Sequence, residues 1–161
     1  MWSFLLYCFS IIVALLLQTL PVFQDLFYGV VPDLLLVIIT FIAINFGKTA
    51  GGLAGFGAGF LQDLLSGGLF GVNAVSKAIT GYLFGFLQSN IYRKKLVVPP
   101  LVAFFATIVN QLLVVSFGGY LVSFLPLGTV LGDVVFPLAL GNAAGALIIY
   151  PILYMLGGSN K

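Results

Sequence analysis

The sequence predicts an all-α polytopic membrane protein, a single transmembrane domain of six helices over residues 1–161, and three observations predict it. Charge is almost absent: 6% of the 161 residues are charged and 61% are hydrophobic, where soluble proteins carry about a quarter charged residues. The mean hydropathy is +1.23. Several apolar runs approach the roughly 20 residues a helix needs to cross a hydrocarbon core of about 30 Å, and none alternates over about 10 residues as an outer-membrane strand would. Turn residues and charges then cut the chain into six such runs. In lipid each backbone N–H and C=O must be satisfied within its own segment, so the runs are read as helices.

By hydropathy the segments fall at about 3–20, 31–46, 49–65, 72–90, 98–122 and 134–156. The first lacks a basic leader, and Thr19-Leu20-Pro21 is a poor small-residue cleavage site, so it reads as a permanent span. Pro21 to Gly29 separates it from the second. Pro32 and Asp33 suit the first turn of that helix, where proline loses no hydrogen bond and an acid meets the positive end of the dipole. Segments two and three are short, which implies tilt or local thinning of the bilayer. Pro99-Pro100 can open the fifth helix, and Pro151 predicts a kink in the sixth.

Orientation follows from the basic residues. Lys48 lies between segments two and three, Arg93-Lys94-Lys95 between four and five, and Lys161 at the C-terminus. Six crossings put all of these on one side, which the positive-inside rule makes the cytoplasm, with both termini there. Asp25, Asp33, Asp63 and Asp133 fall in or near the opposite loops. The Arg-Lys-Lys run reads as an interfacial anchor, with a docking site for a cytoplasmic partner as the alternative.

Glycines form two stripes. In segment three, steps of four give Gly51, Gly55, Gly59 and Asp63; in segment four they give Lys77, Gly81, Gly85 and Ser89. Residues four apart share a helix face, so each stripe is a groove without side chains that meets a charge. A tight connection through Ser66, Gly67 and Gly68 makes the helices antiparallel neighbours. Asp63 and Lys77 are expected to pair at its outer end, because a lone charge in a membrane is penalised by about 2.5 to 3.5 kcal/mol near the centre. The alternative is that Lys77 snorkels to the headgroups and Asp63 sits in loop water. Asn73 is a candidate cap for segment four. Asn110, Gln111 and Asn142 read as packing glue that bonds across to other helices of the bundle, with contact to a partner's helix as the alternative, and Gly141, Ala144 and Gly145 as a further small-residue face for an internal or external neighbour.

Several chemistries lack their residues. Histidine and glutamate are absent and Cys8 is the only cysteine, so no zinc site, disulfide or Cys/His dyad can be assembled, and Cys8 reads as a packing residue. No catalytic set, metal site or cofactor is expected; Lys77 near Ser66 or Ser76 is an ordinary interfacial arrangement. The glycines of segment three lack the Gly-Lys-Ser or Gly-Lys-Thr ending of a phosphate cradle. A net charge of +2 does not suggest nucleic acid as a partner. One acid and one base at membrane depth make a poor proton relay, which disfavours a channel or pump.

The run "GFGAGFLQDLLSGGLFGVNAVSKAITGYLFGFL", residues 55–87, resembles the central signature of the MreD family of rod shape-determining proteins. In that family a glycine-rich helix ends in an aspartate followed by Leu-Leu-Ser-Gly, then Leu-Gly-x-Asn-Ala and Gly-Tyr-Leu. "ALLLQTLP" (14–21) and "PDLLLVI" (32–38) resemble the end of the family's first helix and the start of its second. The resemblance implies a non-enzymatic component of the bacterial cell-wall elongation machinery in the inner membrane. Such a component binds MreC and, indirectly, connects MreB filaments to RodA and its transpeptidase partner in peptidoglycan synthesis. It also implies a fold like that of the S components of energy-coupling-factor transporters. Gly51, Gly55, Gly59, Asp63, Gly67, Gly68, Gly71, Asn73, Lys77, Gly81 and Gly85 are the candidate structural and partner-binding residues. The rival is a vitamin-binding S component, which requires an outward cavity with convergent polar groups; Asn73, Tyr28 and Tyr120 are sparse material for one.

Overall fold

In the computed structural model the residues described are 2–20, 31–67, 69–89, 97–118, 128 and 130–157. Apart from short connections they are helical, and no strand occurs among the described residues. The helices are α1 (Trp2–Thr19), α2 (Leu34–Phe46), α3 (Lys48–Ser66), α4 (Val72–Gly85), α5 (Val98–Gly118) and α6 (Phe136–Gly157). A 3₁₀ turn, Phe86–Ser89, extends α4, and a π-helical turn, Val130–Val135, leads into α6. Asp133 sits in that turn. Asp25, Tyr28, Gly68, Arg93, Lys94, Lys95, Tyr120 and Lys161 lie outside the described residues.

The shortest helix is the centre of the bundle. Every position of α2 from Leu35 to Ile44 is buried, as suits a helix that is apolar on all sides, and α2 touches each of the other five helices. Asp33 caps it, accepting a hydrogen bond from the Leu36 N–H at 3.1 Å. Pro32 therefore lies one residue ahead of the cap instead of in the first turn. Gly47 alone separates α2 from α3; its φ of 91° favours glycine, and a side chain there would strike Gln88.

At the end of the bundle nearer Lys48, aromatic and polar groups interlock. Phe41 of α2 meets Tyr150 and Tyr154 of α6 edge-on, with centroids 5.1 and 4.9 Å apart. Tyr150 donates to Thr40 Oγ1 at 3.1 Å and Tyr154 to Asn45 Oδ1 at 3.0 Å. Pro151 lies inside α6, which continues through it to Gly157. Gly141 and Gly145 face Pro32 and Leu34, so those two small residues serve an internal neighbour.

Large apolar side chains stand on the outward faces, among them Phe9, Leu53, Phe70 and Ile148. Two helical stretches, Val98–Gly118 and Val130–Leu156, are long and apolar enough to cross a membrane; Leu6–Thr19 and Leu34–Phe46 are shorter apolar helices.

Candidate functional site

The predicted stripes form one seam. α3 and α4 run antiparallel, and a Cβ added at Gly51 would meet the Gly81 carbonyl, while one at Gly81 would meet Gly51. At Gly55 it would meet the backbone of Lys77, at Gly59 that of Asn73, and at Gly85 that of Lys48, in each case closer than 3.0 Å. Backbone cannot yield as a flexible side chain does, so any larger residue at these positions drives the helices apart. Gly67 and Gly71 contribute differently: their φ values are 62° and 92°, and no atom stands near a Cβ at either. They form the turn between the helices.

The charges are not arranged as the sequence suggested. Asp63 is 3% exposed and does not pair with Lys77. Its carboxylate accepts from the N–H groups of Gly71, Asn73 and Ala74 at 3.0, 3.2 and 3.0 Å, and from Asn73 Nδ2 at 2.9 Å. The N-cap residue of α4 is a glycine with no side chain to cap it, so Asp63 caps α4 from the neighbouring helix and meets the positive end of its dipole. Asn73 joins this cap as a donor to Asp63. The register of the seam explains the difference. Lys77 lies opposite Gly55, eight residues from Asp63 along α3, or about 12 Å at 1.5 Å per residue.

Lys77 instead forms an ion pair with Asp33 at 2.5 Å, ammonium and carboxylate both largely withdrawn from the surface. One Asp33 oxygen caps α2 and accepts from Gln18 Nε2 at 3.4 Å, and the other takes Lys77. Gln18 Nε2 also donates to the Pro32 carbonyl at 3.0 Å. This group ties the end of α1 and the start of α2 to α4.

The ion pair lines a cavity of about 370 Å³. Gln18 enters it from α1, Asp33 from the head of α2, Gln62 from α3, Asn73 and Lys77 from α4, Asn110 and Gln111 from α5, and Leu138 from α6. All six helices thus contribute at one end of the bundle. Asn110 is 1% exposed, yet neither its amide nitrogen nor its oxygen bonds to the protein; Gln18 Oε1 and Gln62 Oε1 are also buried without a partner. Buried polar atoms are rarely left so, because desolvation without a hydrogen bond costs about 1–3 kcal/mol each. Ser76 Oγ and Asn142 Oδ1 are also buried without a partner away from the cavity, and at the cavity wall such atoms can be met by water or by a guest.

Of the three amides expected to bond across helices, Asn142 does so, donating to Thr107 Oγ1 at 2.8 Å and joining α6 to α5. Asn110 does not. The sequence reading also passed over Gln18, Gln62 and Asp33 as parts of one site. Their signal was a shared depth: Gln18 and Gln62 lie near the C-terminal ends of α1 and α3 and Asp33 at the N-terminus of α2, ends that meet on one side of the bundle. Among the described residues, no three acidic or thiol groups gather where they could hold a metal ion.

A family model described as rod shape-determining protein MreD matches residues 1–158, nearly the whole chain. The chain belongs to the MreD family. Membership points to rod-shape determination, and with the two long apolar helices it marks a membrane protein. No curated protein and no solved structure was found to match the chain. Within the MreD family frame, the glycine seam, the Asp63 cap and the cavity are the three local structures that residues 47–87 help to build.

Proposed function

We propose that the chain is a non-enzymatic scaffold of the bacterial cell-wall elongation machinery, spanning the inner membrane six times with both termini in the cytoplasm. It binds MreC and, through it, acts with RodA, its transpeptidase partner and MreB in peptidoglycan synthesis. Family membership supports the setting. The positive-inside rule, applied to the basic residues, turns the Asp33 end outward.

The observation that carries the reading is the cavity. The small-residue faces are used up within the bundle, Gly51, Gly55 and Gly59 against α4 and Gly141 against Pro32, which argues against a partner helix seated on them. The outward end offers unpaired polar atoms instead. A membrane-proximal stretch of MreC entering this cavity would be held by the bundle and oriented for wall synthesis. To test this, MreC is co-purified with the wild type and with Gln111→Trp, which fills the cavity from a partly exposed position. Loss of MreC from a folded variant supports the reading, and undiminished recovery contradicts it.

The same cavity favours a second reading, a small-molecule binder resembling the S components of energy-coupling-factor transporters, since about 370 Å³ lies within the range of ligand pockets, roughly 300–1,000 Å³. Native mass spectrometry of protein purified without MreC separates the two: a co-purifying metabolite supports this alternative.

A further inference from the structure

The geometry points to an uncharged carboxamide as the group that the outward cavity recognises, with Asn110 as the residue that reads it. The inference rests on the scaffold reading only for the source of the occupant, a peptide stretch of the partner; its chemistry follows from the cavity wall.

Charge is settled first. The ionised groups lining the cavity are Asp33 and Lys77, and they are committed to each other, so the wall presents no net charge. A charged guest would leave water for a site with no free counter-ion, a transfer that is unfavourable even for partly buried groups.

The free hydrogen-bonding atoms then define the guest. Asn110 offers a nitrogen with two N–H donors and an acceptor oxygen on a single rigid carboxamide, and Gln18 Oε1 and Gln62 Oε1 add two acceptor atoms. The N–H and C=O of one trans peptide group point opposite ways, but a primary carboxamide, or the N–H and C=O of a single residue in an extended stretch, presents donor and acceptor on one side and can meet the Asn110 amide on both atoms at once. A second amide N–H on the same guest can satisfy a glutamine oxygen. An ether or ester supplies no donor, and a carboxylate supplies only acceptors. Gln18 is fixed in its orientation, because its Nε2 is held by Pro32 and Asp33. Its oxygen therefore remains the free atom.

The test uses full-length protein in detergent with N-acetylglycinamide as probe and acetate and methylammonium as charged counterparts. Thermal unfolding and the side-chain amide NMR signals are read. At a concentration about ten times its Kd, the neutral amide should raise the midpoint by about 3–6 °C and shift the Asn110 signals, while the charged compounds do neither. Asn110→Leu should abolish the response. Should that variant fail to fold, Gln62→Met at a half-buried position keeps the test open and should weaken it. Equal responses to acetate or methylammonium, or no response to the amide, would overturn the inference. Repeating the titration on the MreC complex distinguishes sources: a blocked response assigns the carboxamide to MreC, and an unchanged one assigns it to a free ligand. Amide binding without MreC recovery would leave the inference standing and remove the scaffold reading; MreC recovery unaffected by Asn110→Leu, with no amide response, would do the reverse.

Discussion

Lys77 pairs with Asp33, 44 residues away in sequence and on a different helix, while Asp63 on the adjoining helix caps the backbone of α4. The two acids therefore do different work. Asp33 neutralises a buried cation and starts α2; Asp63 closes the α3–α4 hairpin by binding amides.

The ion pair gives the first prediction. Removing one partner of a buried pair leaves the other uncompensated and costs about 3–5 kcal/mol, whereas replacing both with apolar residues of similar size is often close to neutral. Asp33→Leu and Lys77→Met should each destabilise strongly in reversible unfolding in detergent, and the double variant should recover most of the loss. A charge exchange at Asp63 and Lys77 should recover nothing.

For Asp63 the expected effect is local. Asp63→Ala strands the N–H groups of Gly71, Asn73 and Ala74, and hydrogen bonds to a charged group contribute about 1.5–3 kcal/mol. The variant should lose more than about 2 kcal/mol, with hydrogen exchange rising first at those amides. Exchange that rises equally in α6 would contradict the capping role.

Along the seam, position decides the outcome. Gly55→Ala places a methyl group against the backbone of Lys77 and should destabilise the hairpin. Gly57→Ala, on the same helix with nothing within 4 Å of its Cβ, should be neutral or stabilising by about 0.5–1 kcal/mol. Thermal midpoints of the two variants, measured side by side, check this.

The seam was legible in the sequence because glycine at every fourth position of an apolar helix has one strong physical meaning, close approach of two backbones. The ion pair was not. A short turn fixes that two helices are antiparallel, but the register depends on how Gly67 and Gly71 bend the chain, and a shift of two turns changed the partner of Lys77. Asp33 was read as a helix-start residue, which it is, and its second oxygen carried no further mark. Asn110 and Asn142 look alike in sequence, both amides within apolar spans. Only packing tells that one bonds to Thr107 and the other is buried at the cavity wall without a protein partner.

The central claim is that MreC is held at the outward cavity and not on the lipid-facing sides of the bundle. Photo-crosslinking in native membranes tests it most directly, with the crosslinker placed in turn at Gln111 and Val114 of the cavity wall and at Leu53 and Ile148 on exposed faces. Capture of MreC from the first two positions and not from the last two is the predicted result. Capture from Leu53 or Ile148 with none from Gln111 and Val114 would contradict the account.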